Sequence, residues 1–323
     1  MTEREARLEA IRDEARAKGR VDAPSATVAG GPIPTAPGGY YGQPVLKAPV
    51  WTWEIPAYFA AGGAAGMAAA IAAVAELAGA DRALARDARL VALAGAAVSP
   101  LLLISDLGRP SRFLNMLRVF KARSAMSVGV WTLVAFSAAA LASVALSAPP
   151  EWAALSGART AAFVMAAVLG VLLAAYTGVL LGVSAVPVWA AHARLLPIQF
   201  TASSLGAATG VLELVGHRAP ALNVVGAGAA AIVLVCAVVT ERDRRAVSRP
   251  LRSGRSGALV RLGDALAGPA ALALRVAAAG SATARTLAAA AAIAGSVCAR
   301  YGWMAAGRAS AADPAAVLDE APR

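Results

Sequence analysis

Four polar residues at the ends of two apolar segments are the strongest candidates for chemistry in this sequence. Glu54 and Tyr58 lie four residues apart, so on a helix their side chains project from the same face. Asp106 closes the next apolar segment, and Arg109 follows within reach of an ion pair. Polar side chains at membrane depth are costly and mark functional sites by default. Because carboxylates can accept protons, Glu54 and Asp106 are the candidate catalytic residues.

A structural explanation of the same residues stays open. Asp106 would then pair with Arg109 at a helix end, and Glu54 would extend its side chain toward the lipid headgroups. The same reasoning predicts two structural pairs elsewhere in the chain. These are Glu213 with His217, four residues apart, and Arg261 with Asp264, three residues apart.

The loop that follows Asp106, residues 106–125, is strongly basic. Besides Arg109 it carries Arg112, Arg118, Lys121 and Arg123. Such a loop marks the cytoplasmic side of a membrane protein, and it also suits docking of an acidic partner protein. We therefore predict that these four residues form a partner-docking surface.

The sequence lacks the residues that most metal and nucleotide sites need. Two cysteines exclude a disulfide framework and a zinc module built on cysteines. Two histidines exclude a pair of bis-histidine haems, which would need four. The G-x-x-x-x-G-K-[ST] phosphate loop and the H-E-x-x-H zinc motif are also absent from the sequence. We expect no haem and no metal in this chain.

The composition points to lipid as part of the solvent. Of 323 residues, 59% are hydrophobic and 15% are charged, whereas soluble domains carry about 25% charged residues. Abundant Ala and Gly suit closely packed membrane helices. The net charge of +11 comes mostly from arginines that flank apolar stretches. We interpret this charge as membrane-flanking and expect no nucleic-acid partner.

Apolar runs predict an all-α polytopic membrane protein with about eight transmembrane helices. Six runs between Ile55 and Thr240 are long enough to cross a bilayer. Two weaker spans follow, near residues 256–277 and 282–305. Loops on the side of the N-terminus hold twelve Lys and Arg against seven on the other side, which favours cytoplasmic termini. Residues 1–39 and 316–323 are interpreted as tails, the first of them flexible and cytoplasmic.

The sequence resembles the NrfD-like family, the membrane subunits of polysulfide-reductase-type complexes. The resemblance covers about residues 40–315 and is strongest in the Asp-Leu-Gly-Arg-Pro stretch at 106–110. Further matching stretches lie in the segments 41–47, 53–66, 111–131, 176–189 and 300–314.

This resemblance implies eight helices in two four-helix bundles, the first about residues 50–191 and the second about 195–305. It implies an inner (plasma) membrane subunit that exchanges electrons between menaquinone or ubiquinone and a ferredoxin-like iron–sulfur subunit. That subunit would in turn be linked to a molybdopterin catalytic subunit. Glu54, Tyr58, Asp106 and Arg109 match the polar positions of the family's quinone site.

Quinol chemistry suits these four residue types. Glu54 and Asp106 would accept protons, and Tyr58 would donate a hydrogen bond to a quinone oxygen. Arg109 would hold Asp106 charged or stabilise a semiquinone. Two other classes stay open, a multi-pass transporter or channel and a membrane anchor without redox chemistry. Inverted repeats of broken helices would favour a transporter, and the sequence shows none.

Overall fold

The computed structural model describes residues 27–28, 31–32, 46, 48–107, 111–147, 156–277 and 280–313. Most of the predicted N-terminal tail, Arg109, the side chain of Arg112 and the predicted C-terminal tail lie outside the described residues. Ahead of the helices, β1 (Thr27–Val28) and β2 (Gly31–Pro32) form a two-residue antiparallel pair.

The described chain contains eight helices that are long and apolar enough to cross a membrane, as predicted. The two weak spans of the sequence are both full helical segments. The helices in chain order are α1 (Glu54–Leu77), α2 (Arg82–Asp106), α3 (Ser111–Met116), α4 (Ala125–Ala145), α5 (Ser156–Gly182), α6 (Pro187–Ala191), α7 (Leu195–Val215), α8 (Pro220–Arg242), α9 (Gly254–Ala265), α10 (Ala271–Ala277) and α11 (Ala282–Ala311). The short α3 and α6 do not span.

The seventh span is continuous but irregular. A π-helical turn, Leu266–Ala270, joins α9 to α10 and contains Pro269. Proline has no N–H and crowds the preceding turn, so it disturbs a regular α-helix. The wider π turn lets the span continue across this point. This irregularity, together with Arg261 and Asp264, explains why the span looks weak in the sequence.

Small residues set the close contacts between spans. A Cβ on Gly66 of α1 would lie 2.1 Å from the carbonyl oxygen of Gly170 on α5, so the two backbones touch. Gly263 of α9 meets the backbone of Ala299 on α11 in the same way. Because lipid tails are as apolar as the helices, such close packing holds membrane helices together.

Contacts between the helices form two closed rings. In the first half α1 contacts α2 and α5, and α4 completes the ring between them. In the second half α7, α8, the α9–α10 span and α11 contact one another in turn. The rings also meet, because α7 packs on α1 and α5 and one core cluster includes residues of both halves. Division into two separate four-helix bundles stays a prediction.

Candidate functional site

A cavity of about 170 Å³ lies where α1, α2, α4 and α5 reach one membrane face. It is the place where two of the predicted site residues, Tyr58 and Asp106, come together. Most of its wall is apolar or aromatic, as is usual for ligand sites. Its lining residues are Trp51, Ile55, Tyr58, Phe59, Leu103, Asp106, Leu107, Met116, Met126, Gly129, Val130, Tyr176 and Leu180.

Asp106 ends α2 and is held by Thr52, a residue that the sequence analysis did not select. The Thr52 amide donates to Asp106 Oδ1 at 3.1 Å, and the Thr52 hydroxyl lies 2.7 Å from the same oxygen. The hydroxyl also contacts Glu54 Oε2. A hydroxyl has one proton to donate, so it cannot donate to both carboxylates at once.

Two tyrosines from different spans line the cavity and differ in their hydrogen bonding. The Tyr176 hydroxyl donates to the carbonyl of Ala125 at 2.5 Å, and its ring lies on Gly129, where a Cβ would collide with it. Tyr58 is 3% exposed. Its hydroxyl has no hydrogen-bond partner among the described residues, so it is available to a ligand that enters the cavity.

The second half of the chain fixes the segment that leads into α1. The Tyr301 hydroxyl donates to the Trp53 carbonyl at 2.9 Å, and Arg308 donates to the Trp51 carbonyl at 3.1 Å. The Trp51 ring stacks on Trp189 of α6 at 5.8 Å. The position of the cavity wall therefore depends on contacts with helices far away in sequence, which no local pattern reveals.

The basic loop adjoins the cavity. Leu107 and Met116 of this loop line the cavity wall. Phe120 packs edge-on against Trp131 of α4, at 6.3 Å between ring centroids, and this contact anchors the loop on α4.

The charges of the loop face solvent. Arg118, Lys121 and Arg123 are exposed, and none forms an ion pair with another described residue. The described part of the predicted docking surface therefore lies beside the cavity, and its charges form no ion pair with another described residue.

The two structural pairs predicted from the sequence, Glu213 with His217 and Arg261 with Asp264, are both wrong. Glu213 is fully buried and binds Arg275 and Arg285, at 2.7 and 2.8 Å, because α7 packs against the last two spans. The imidazole of His217 lies 3.0 Å from Asp87 instead.

The second pair fails for a similar reason. Asp264 accepts a 2.7 Å hydrogen bond from Gln199 of α7, while Arg261 pairs with Glu241 of α8. Asp264 also lines a second cavity, of about 240 Å³, between α8 and α9. In each case a neighbouring span offers a closer partner than the same helix does.

The potential metal ligands are dispersed. Among the described residues, no three His, Cys, Asp or Glu side chains come together as a metal site. Each histidine faces one aspartate, His192 with Asp243 at 3.2 Å and His217 with Asp87. Cys236 is buried and Cys298 is half-buried, and neither forms a disulfide.

Comparison with known proteins agrees with this architecture. The family model described as polysulfide reductase, of the NrfD type, matches residues 38–312, which is most of the chain. The match includes all eight spans and the basic loop. No curated protein matches the sequence.

Proposed function

Because the chain belongs to the NrfD-type polysulfide reductase family, a group of membrane subunits of redox complexes, we propose that its cavity at Tyr58 and Asp106 is a quinone site. The chain would exchange electrons between menaquinone or ubiquinone and an iron–sulfur subunit linked to a molybdopterin catalytic subunit. The observation that carries this proposal is the convergence of Tyr58 and Asp106 on one cavity beside an exposed basic loop.

The size of the cavity suits the ring of a quinone and not its tail. Its volume of about 170 Å³ is below the roughly 300 Å³ of small-molecule sites that enclose a whole ligand. Met126 lines the cavity and is 51% exposed on the outer surface of α4. An isoprenoid tail would leave the cavity beside this residue and extend into the lipid.

Each polar residue has a role that matches its contacts. The Tyr58 hydroxyl would donate a hydrogen bond to one oxygen of the ring. Oxidation of a quinol releases two electrons and two protons, and Asp106 would accept the two protons one after the other. Thr52 and Glu54 would pass each proton outward before the next is taken up, because the Thr52 hydroxyl joins the two carboxylates at the membrane surface. Arg109 lies outside the described residues, and its role of holding Asp106 charged or stabilising a semiquinone stays a prediction.

Electrons would pass between the quinone and an iron–sulfur subunit that docks on the neighbouring basic loop. Arg112, Arg118, Lys121 and Arg123 would meet acidic residues of the iron–sulfur subunit, a type of contact that steers association. We further propose that this face is cytoplasmic, in line with the bias of Lys and Arg among the loops. A phosphatase fusion at Arg123 should be inactive and one at Arg86 active; the reverse pattern would place the face outside.

The function is tested by the Asp106→Asn variant in the assembled complex. Asn keeps the size and can still accept from Thr52, but it cannot accept a proton. Loss of a general base predicts quinol oxidation slowed by about 10²–10⁴-fold, with normal assembly. The matched control is Glu241→Gln, which changes an exposed acid outside the cavity and should retain turnover. Wild-type turnover in Asp106→Asn, with normal assembly, would remove Asp106 from the mechanism.

A further inference from the structure

A larger cleft opens on the same membrane face, away from the Tyr58–Asp106 cavity. Its volume is about 590 Å³, and it lies between the start of α7 and the end of α8. The segment 190–195 forms one side, and Asp243 and Arg245 form the other. Ile198 and Val239 complete the wall one turn further into the membrane.

The cleft combines a charged rim with an apolar wall. Arg194 and Arg245 are exposed at the rim. Ile198 and Val239, 55% and 50% exposed, continue the wall along the outer surfaces of α7 and α8. A ligand that fits both parts must carry an anionic group at the membrane surface and an apolar chain directed into the lipid.

The one carboxylate of the cleft is already neutralised. Asp243 accepts hydrogen bonds from Arg245, at 2.8 Å to Nη2, and from the Ser248 hydroxyl at 2.5 Å, and it faces His192. Burial acts to raise the pKa of Asp243, but these hydrogen bonds outweigh it and hold the pKa below its usual range. Arg194 forms no ion pair with any described residue, so its charge faces the cleft uncompensated.

The surroundings add positive charge. Residues 241–256 contain six arginines and two acids. The acids are Asp243, described above, and Glu241, which is paired with Arg261. Basic pockets between membrane helices bind the headgroups of anionic lipids. The apolar wall lies on the outer surfaces of two membrane-spanning helices, where an acyl chain is a better fit than a soluble acidic protein.

We propose that this cleft binds an anionic phospholipid. The phosphate lies against Arg194 and Arg245, and one acyl chain runs along Ile198 and Val239. The site is independent of quinone chemistry, so it stands or falls separately from the proposed function.

The test is native mass spectrometry of the purified full-length protein, with its accompanying subunits, titrated with dioleoyl phosphatidylglycerol. Phosphatidylcholine with the same chains and inorganic phosphate as a competitor provide the other arms. Arg194→Gln should weaken phosphatidylglycerol binding roughly fivefold, the effect of one basic residue near an anionic headgroup. Val239→Trp should weaken it by occupying the apolar wall. The matched control Arg82→Gln, an exposed arginine outside the cleft and outside the predicted docking surface, should leave binding unchanged.

Four outcomes would overturn the proposal. Equal binding of phosphatidylcholine would remove the need for a negative charge. Competition by inorganic phosphate would indicate a site for small anions. Equal weakening by Arg82→Gln and Arg194→Gln would reduce the effect to general surface charge. Unchanged lipid binding by Arg194→Gln, together with loss of an accompanying subunit, would assign the cleft to a protein partner.

Discussion

Two polar clusters, near opposite ends of the membrane spans, differ in the groups that bind their carboxylates. At one end, Asp106 is half-buried beside a cavity and accepts two hydrogen bonds from Thr52. At the other end, Glu213 is fully buried and both of its oxygens are bound by arginines. The first cluster has room for a ligand and a hydroxyl, that of Tyr58, without a partner in the described chain. The second is a closed network of protein groups.

This difference distinguishes a cluster that could react with a ligand from one that stabilises the packing of helices. A buried carboxylate that is bound only by protein side chains holds together the helices from which those side chains come. Glu213 joins α7 to the last two spans, since Arg275 and Arg285 come from α10 and α11. A carboxylate that lines a cavity can exchange its proton with a ligand. Substitutions in the two clusters should therefore affect different properties of the protein.

The largest effect on stability is expected for Glu213→Gln. This change leaves Arg275 and Arg285 buried without a carboxylate, and breaking a buried ion pair costs about 3–5 kcal/mol. The unfolding midpoint of the purified protein in a denaturing detergent measures the loss. Glu241→Gln breaks an exposed pair with Arg261 and should cost at most about 1 kcal/mol. Equal stability of the two variants would contradict the structural role of the Glu213 cluster.

A smaller effect is expected for charge reversal in the basic loop. Arg118, Lys121 and Arg123 are exposed, so their replacement by Glu should leave folding intact while repelling an acidic partner. Co-purification of the iron–sulfur subunit should then be lost at low salt, where the wild-type pair associates most strongly. The corresponding reversal of Arg82 and Arg86, two basic residues at the opposite ends of the spans, is the control. Retention of the partner by the loop variant would exclude this surface.

The smallest effect is expected for Tyr58→Phe, which removes one hydrogen bond to the quinone. One hydrogen bond contributes about 0.5–1.5 kcal/mol, so the KM for quinol should rise about 2- to 12-fold with kcat little changed. Tyr176→Phe is the matched comparison, because the Tyr176 hydroxyl already donates to the protein. A rise in KM for Tyr176→Phe and none for Tyr58→Phe would exchange the roles of the two tyrosines.

Much of the fold follows from the sequence alone. Apolar runs of membrane length predict the eight helices, because a bilayer leaves few alternatives to a helix for satisfying the backbone. The alternation of spans brings Asp106 to the end of the membrane where α1 begins, and Tyr58 and Asp106 line one cavity there. Glu54 does not line this cavity and meets Asp106 only through the Thr52 hydroxyl. These are consequences of helix geometry and topology, which the sequence contains directly.

The partners of buried polar groups do not follow from the sequence. Arg300 is fully buried and is bound by Ser203, Ser204 and Ser296, residues from two different spans. Thr52 lies outside any helix, and its contact with Asp106 requires the relative position of α1 and α2. Such contacts are set by the packing of helices, for which small residues indicate closeness but not register.

The proposed quinone site is the cavity of Tyr58 and Asp106, in the first half of the chain. Photolabelling of the assembled complex with an azidoquinone, followed by peptide mapping, tests this location most directly. A quinone bound at this cavity should label peptides that cover residues 51–58 and 126–130, and excess unlabelled quinone should protect both. Labelling confined to residues 234–269, around the second cavity at Asp264, would contradict it.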